Sequence, residues 1–422
     1  MIAFFTVFFA LMFFGMPIAF CMLISSTAFV FLDGLNARII VEKVLSGPES
    51  FTLLAVPFFI LAANLMNTGG ITERIFDFAT KMVGHITGGL GHVNILASVI
   101  FAGMSGAAVA DAGGLGKIEL KAMRDAGFDD DFTLAVTGAS STIGPIIPPS
   151  IPAVVFSVTA GVSIGKMFIA GIIPGIFMAL AMAVVVYVLA KKRGYPVEPK
   201  ATFFEKWSAF KKAFLSLMTP IIIIGGILTG IFTPTEAAII ASIYALILGI
   251  YYRTLKLSNL KQILLDTAIA TTVTVFIIAC AAVFGWVLAY ERIPQTLSTG
   301  FLSIFESKTL ALLMIMVVLL IIGCFMETIA AITIMTPVFM PIISNFGIDP
   351  VHFGVLMILN LMIGLITPPV GLVLYTLSNI SGVPFYRIAK ASIPYLIILT
   401  VVLVILCFVP QISLFLPNLI FN

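Results

Sequence analysis

The sequence predicts an all-α polytopic membrane protein, and three observations carry that expectation. Of its 422 residues, 61% are hydrophobic and only 10% are charged. The mean hydropathy is +1.20, and apolar stretches recur from end to end at the roughly 20-residue length that a lipid-spanning helix needs. In the middle of one such stretch, GPIIPPSIP at 144 to 152 places four prolines in nine residues. Proline removes a backbone donor and clashes with the preceding turn, so no continuous helix passes through this segment. In hydrocarbon, unpaired backbone groups are costly, and a break persists only inside protein or beside a water-filled cavity. The prolines therefore point to a site.

Apolar stretches fall at about 2–32, 51–68, 88–124, 132–160, 166–190, 213–252, 263–290, 308–346, 352–381 and 386–420. Several exceed one pass, so about ten to twelve embedded segments are expected. The N-terminal MIAFFTVFFALMFFGMPIAF has no basic leader and no small-residue cleavage site, and reads as the first membrane segment rather than a signal peptide. Residues 191–212, KKRGYPVEPKATFFEKWSAFKK, carry seven Lys and Arg and read as a polar cytoplasmic linker between a first half, 1–190, and a second, 213–422. Lys117, Lys121, Arg124, Arg253, Lys256 and Lys261 share that side under the positive-inside rule. Trp207, Trp286, Tyr251, Tyr252 and Tyr290 near segment ends fit an aromatic belt.

Composition also excludes functions. A formal charge of +3 from scattered basic residues offers nothing to a nucleic acid. Cys21, Cys280, Cys324 and Cys407 are dispersed without a CxxC or any Cys/His pairing, and read as small apolar fillers rather than disulfides or metal ligands.

The halves echo each other. IIPPSIPAVVFSV resembles LITPPVGLVLYTL, with Pro148 and Pro149 matching Pro368 and Pro369 at an offset of 220 residues, which Pro174 and Pro394 share. GMSGAAVAD at 103–111 faces FMETIAAIT at 325–333, with Met104 opposite Met326 at an offset of 222. Near Pro17 and Pro234 each half is expected to open with a proline-broken pair of short helices. Two interrupted segments per half, one at small polar residues and one at Pro-Pro, suggest a duplicated transport site.

GMSGAAVADAGG, 103–114, reads as the tip and second arm of a re-entrant hairpin, about 88–124, against the alternative of a small-residue packing seam. In TGASSTIGPIIPPS, 137–150, hydroxyls and glycines precede the break in a helix of about 132–160. Unwound carbonyls with Ser and Thr oxygens suit a weakly bound hard cation, sodium above others, against the alternative of a simple kink. NLMIGLITPPVGLVLYTLSN, 360–379, repeats the arrangement in a helix of about 352–381, after a second hairpin of about 308–346; Asn360 and Asn379 add polar atoms. Glu327 lies in the apolar run GCFMETIAAI, where a carboxylate is expected to bind a cation, carry a proton or fix the hairpin tip. Glu236 in TPTEAA is expected to be structural, in a first turn capped by Thr233 or Thr235. Asp111 is expected to cap a helix or face the cytoplasm, and DAGFDDDF, 125–132, to turn at the interface.

Taken together, GMSGAA, IGPIIPPSIP, GIFTPTEAA, CFMETIAAITIMTPVFMPI and GLITPPVGLVLY resemble the large membrane subunit of tripartite ATP-independent periplasmic (TRAP) transporters of the DctM/SiaM type, over nearly the whole chain. The resemblance implies a multi-pass protein of the bacterial inner membrane with two inverted repeats, an elevator mechanism and sodium-coupled uptake of an organic acid, commonly sialic acid or a C4-dicarboxylate. It implies two partners: a small four-helix membrane subunit and a periplasmic substrate-binding protein. It implies at least two sodium sites, one using Ser105 and Gly106 with Ser140, Ser141, Thr142 and Gly144, the other Glu327 and Thr328 with Gly364, Thr367 and Pro368. Substrate is expected between the tips, at Ser105, Ser150, Thr328 and Val370.

Two rival readings remain. Gly103–Gly106 also forms a GxSG sequence resembling the nucleophile motif of rhomboid intramembrane proteases, which would make Ser105 a nucleophile in need of a base from His85, His92 or His352. A passive anion channel also uses re-entrant loops and broken helices.

Overall fold

A computed structural model describes residues 2–305 and 307–421, apart from the side chains of Ile2, Ser105 and Leu257. The described residues are built from helices. The chain opens with α1 (Ile2–Phe13) and α2 (Ile18–Leu32), split at Gly15 and Pro17, then α3 (Arg38–Ser46). A 3-10 turn at Phe51–Leu54 leads into α4 (Ala55–Thr68), followed by α5 (Ile71–Val83). Next, α6 (Leu90–Ser105) turns back through α7 (Ala108–Gly113) and α8 (Leu115–Asp125). The interrupted pair α9 (Asp130–Ser141) and α10 (Ile151–Ala160) is followed by α11 (Ile164–Arg193). Beyond it come α12 (Phe203–Leu228), α13 (Pro234–Tyr251), α14 (Leu257–Tyr290) and α15 (Ile293–Ile304). Finally α16 (Lys308–Gly323) turns into α17 (Thr328–Asn345), a second interrupted pair runs α18 (Pro350–Leu365) to α19 (Leu372–Ser381), and α20 (Phe385–Phe408) and α21 (Gln411–Phe421) close the chain.

Seven helical segments, one of them α4 together with the 3-10 turn before it, are long and apolar enough to cross a membrane. The remaining apolar segments are shorter pieces, most of them cut at Pro17, Gly106 or one of the two Pro-Pro pairs. Both Pro-Pro bonds are cis. Pro174 and Pro394 sit inside the long helices α11 and α20.

Local capping explains several boundaries. Thr202 and Glu205 form a capping box that starts α12. The polar stretch 191–212 is thus less of a free linker than its composition suggests: its first residues finish α11 and its last ten begin α12. Thr233 and Glu236 form a second box, with Pro234 in the first turn, so Glu236 is structural as expected. The Pro17 pair is short, but around Pro234 the chain joins two full-length helices, against the expectation of short ones.

Two groups of elements position the site. Helix α13 runs parallel to α4, tied by Thr235 to the Phe51 carbonyl (3.3 Å), Ser242 to Phe58 (2.7 Å) and Thr254 to Gly69 (2.7 Å). Helix α14 packs on α4 as well, where Asn64 Nδ2 donates to Thr267 Oγ1 at 3.0 Å. The interrupted helices run through the densest part of the protein: every residue from Phe132 to Ser157 is buried, as is every residue from Val351 to Ile366. At one end, three successive aspartates take arginines from three elements. Asp129 meets Arg193 of α11 (3.2 Å), Asp130 meets Arg124 of α8 (2.6 Å) and Asp131 meets Arg387 of α20 (2.9 Å). The turn at Gly127, φ +83°, brings them there, so the DAGFDDDF segment is a turn that also gathers helix ends. The four cysteines are buried among apolar neighbours.

Candidate functional site

The first tip forms where α6 ends at Gly106, whose φ is +64°. A Cβ at this position would stand 2.6 Å from the Pro149 carbonyl oxygen and 3.2 Å from the Ile151 nitrogen. Only glycine lets the tip rest on the Pro-Pro break. Gly103 lies equally close to Pro220 of α12. The second tip follows Gly323, where α16 ends; there Gly364 of α18 approaches so closely that a Cβ would meet Gly323 backbone at 2.5 Å. Glu327 then caps α17, its carboxylate accepting from Ile329 N (2.8 Å) and Ala330 N (3.1 Å).

Both tips open on one cavity of about 370 Å³. Its walls are the first tip (Gly106 to Ala110), the first break (Pro145, Ile151 and Pro152), the second tip (Glu327, Thr328 and Ile329), and Met362, Leu365 and Leu372 from the second interrupted helix. The opposite wall comes from α4 (Ile60, Ala63, Asn64) and α14 (Asp266, Ala270, Thr274). Ala63 and Thr274 are buried while Asp266 is exposed. The cavity therefore opens past Asp266 and past Val109 and Ala110 of the first tip, which are exposed as well.

The electrostatics are unusual for an anion site. The lining holds two carboxylates, Asp266 and Glu327, and no Lys or Arg. Positive potential comes from helix starts instead: α10 begins at Ile151, α17 at Thr328 and α19 at Leu372, all on the cavity wall. Such a pocket can take an anion with its negative groups compensated by cations and dipoles.

Of the residues singled out from sequence, Gly106, Glu327 and Thr328 line this cavity. Ser150 lies just behind it, capping α10 by accepting from Ala153 N (3.1 Å) while donating to the Pro145 carbonyl. Ser141 and Thr142 donate to the Gly138 (2.9 Å) and Ala139 (2.6 Å) carbonyls, and Thr367 to that of Ile363 (2.7 Å). Val370 is half-buried and Pro368 exposed, whereas Pro148 and Pro149 are buried, so the two breaks differ in access. The side chain of Ser105 lies outside the described residues. Asp111 does not face solvent: it is buried on α7 with its carboxylate against Gly144, because the hairpin arm folds onto α9.

Ser140 belongs to a buried polar chain that sequence reading missed. Its hydroxyl donates to Asn94 Oδ1 (2.6 Å) and accepts from Ser98 (3.0 Å); Asn94 Nδ2 donates to Glu119 Oε2 (2.8 Å) and Thr137 Oγ1 (2.7 Å). This chain ties both hairpin arms to α9. Asp266 and Asn64 were also missed. The rule that singled out Glu327, an acid inside an apolar run, applies equally to Asp266 in LLDTAIATTV.

Two interrupted helices and two helix turns meeting at one cavity are the arrangement of a membrane permease. Comparison makes this specific. Residues 5–412 match the family model "Tripartite ATP-independent periplasmic transporter, DctM component", and the chain belongs to that family. It is similar to the sialic acid TRAP transporter large permease protein SiaM of Vibrio cholerae, 48% identical over 97% of this chain and 96% of that protein. The C4-dicarboxylate large permease DctM of Pseudomonas aeruginosa is 40% identical over 91% of this chain and 90% of its own length. Among solved structures, the Alcanivorax borkumensis YdaH transporter shares the fold, with a TM-score of 0.68 at 16% identity over 90% of this chain and 88% of that one. The protein is thus a large TRAP permease, a multi-pass protein of the inner membrane and not an enzyme.

Proposed function

We propose that this permease imports an organic acid, sialic acid in first place and a C4-dicarboxylate in second, driven by an inward sodium gradient. One observation carries the reading: a cavity walled by both tips and both interrupted helices that contains carboxylates but no basic side chain. An anionic substrate there needs cations to enter with it. Sodium ions, two or more, are assigned to the tip and break backbones with Glu327 and Thr328 on one side, and Gly106, Ser105 and the Ser140–Gly144 segment on the other. Substrate sits between the tips, near Ser105, Thr328, Ser150 and Val370. The preference for sialic acid rests on the similarity to the Vibrio cholerae permease.

Residues 1–190 and 213–422 act as inverted repeats joined through 191–212. The two hairpins and interrupted helices form a mobile unit that moves as an elevator against α4, α13 and α14. A small membrane subunit enlarges the static part, and a periplasmic binding protein delivers the solute. The test is uptake into proteoliposomes holding this chain and its small subunit, with labelled sialic acid or succinate and the matching binding protein. Uptake of one solute that requires both sodium and the binding protein is the expected result. Uptake indifferent to both would overturn the proposal in favour of a passive pore.

A further inference from the structure

A second cleft, of about 530 Å³, lies at the end of the molecule where the three aspartate–arginine pairs gather. Lys117, Lys121 and Arg124 from successive turns of α8 form one wall, and Asn379 and Ile380 of α19 the other, with Leu120 also lining it. Asp125 is the one carboxylate among the lining residues.

The charges here are not equivalent. Arg124 is committed to Asp130 through two hydrogen bonds (2.6 and 2.9 Å) and to the Ser381 carbonyl (3.2 Å). Arg193 and Arg387 have their own aspartates. Among the described residues Lys117 and Lys121 form no ion pair, and both are exposed. They stand four residues apart on one face of α8, so their ammonium groups serve the same space. The three arginines at this end are neutralised by the aspartates, whereas Lys117 and Lys121, which line the cleft, are left for an anion from outside the chain.

Depth in the membrane identifies that anion. One turn from Asn379 on α19, Tyr375 is 46% exposed and stacks on Phe385 at 4.5 Å between centroids, and Tyr386 is 72% exposed. Exposed tyrosines mark the level of lipid headgroups. The accumulated Lys and Arg put this end on the cytoplasmic side, where the leaflet is anionic. Half-buried Ile380 and buried Leu120 give the cleft an apolar surface beside its lysines. We propose that Lys117 and Lys121 bind the phosphate headgroup of an anionic phospholipid of the cytoplasmic leaflet, with its glycerol and first acyl carbons against Ile380. Such a lipid bridges α8, which belongs to the first hairpin, and α19, which follows the second break. It would hold together the returning arm of the first hairpin, whose tip residues Gly106 to Ala110 line the transport cavity, and α19, whose first residue Leu372 lines it as well.

The experiment is native mass spectrometry and thermal unfolding of the purified full chain with phosphatidylglycerol, phosphatidylcholine or inorganic phosphate. Wild type is expected to retain phosphatidylglycerol and to unfold at higher temperature in its presence, with no response to phosphatidylcholine. The double variant Lys117→Gln/Lys121→Gln is expected to lose about thirtyfold in affinity for the anionic lipid, while Lys117→Arg/Lys121→Arg keeps it. Both lysines are exposed, so the variants are expected to fold, and an unchanged unfolding temperature without lipid checks this. Equal retention of phosphatidylglycerol by the glutamine variant would overturn the proposal. Displacement of the lipid by inorganic phosphate would overturn it too, making the cleft a site for a free anion.

Discussion

At the scale of single residues, glycine and one carboxylate do most to shape the cavity. Gly106 combines a positive φ with a backbone neighbour at 2.6 Å from any Cβ, so Gly106→Ala must either move the tip or displace the break. It is expected to abolish uptake while the protein remains membrane-inserted, which assay of transport beside expression level checks. Glu327 both caps α17 and lines the cavity. Glu327→Ala removes the cap at a cost of about 1 kcal/mol, whereas Glu327→Gln retains an acceptor and removes only the charge. Asn94 is the hub of the buried chain to Glu119 and Ser140. Asn94→Ala removes one of the two side-chain donors to the buried Glu119 carboxylate, leaving Thr137, and is expected to destabilise by about 1–3 kcal/mol, read as a lower unfolding temperature in detergent. Glu327 was legible in the sequence because an acid in an apolar run stands out. The destinations of the hydroxyls were not: Ser141, Thr142 and Thr367 could face a cation or their own helix, and one-dimensional spacing does not distinguish these.

At the scale of elements, prolines and caps decide where helices begin. The Pro-Pro breaks and the tip at Gly106 were readable since each removes a donor or demands a special φ. The start of α12 inside a basic stretch was obscured because composition suggested a linker, while the Thr202/Glu205 box was the better signal. The matching box at Thr233 is structural, and Glu236→Ala is expected to lower the unfolding temperature slightly without altering the sodium dependence of uptake. That contrast with Glu327→Gln separates an acid that caps a helix from one that also faces the cavity. The aspartate–arginine pairs at 129–131 are partly exposed, so loss of any one is expected to cost under about 1 kcal/mol. Sequence repetition predicted equivalent breaks. Tertiary packing made them unequal, burying Pro148 and Pro149 and exposing Pro368 and Pro369.

At the scale of the whole molecule, the cavity lies between elements far apart in the chain, from Ile60 to Leu372. This assembly was only half legible: repeats identified the tips and breaks, but nothing local revealed that α4 and α14 supply the facing wall with Asn64 and Asp266. If the tips move against that wall, a bifunctional cross-linker joining cysteines placed at Ala270 and Thr328 is expected to stop uptake, while joining two positions on α4 and α13, which stay together, leaves it intact.

The most direct test of the central claim compares the sodium dependence of solute uptake in wild type and Glu327→Gln, side by side in proteoliposomes with the small subunit and binding protein. The account predicts that the variant needs at least about tenfold more sodium for half-maximal uptake, since one coupled cation loses its charged ligand, equivalent to about 1.4 kcal/mol. Superimposable sodium curves would contradict it and move the coupling site away from this cavity.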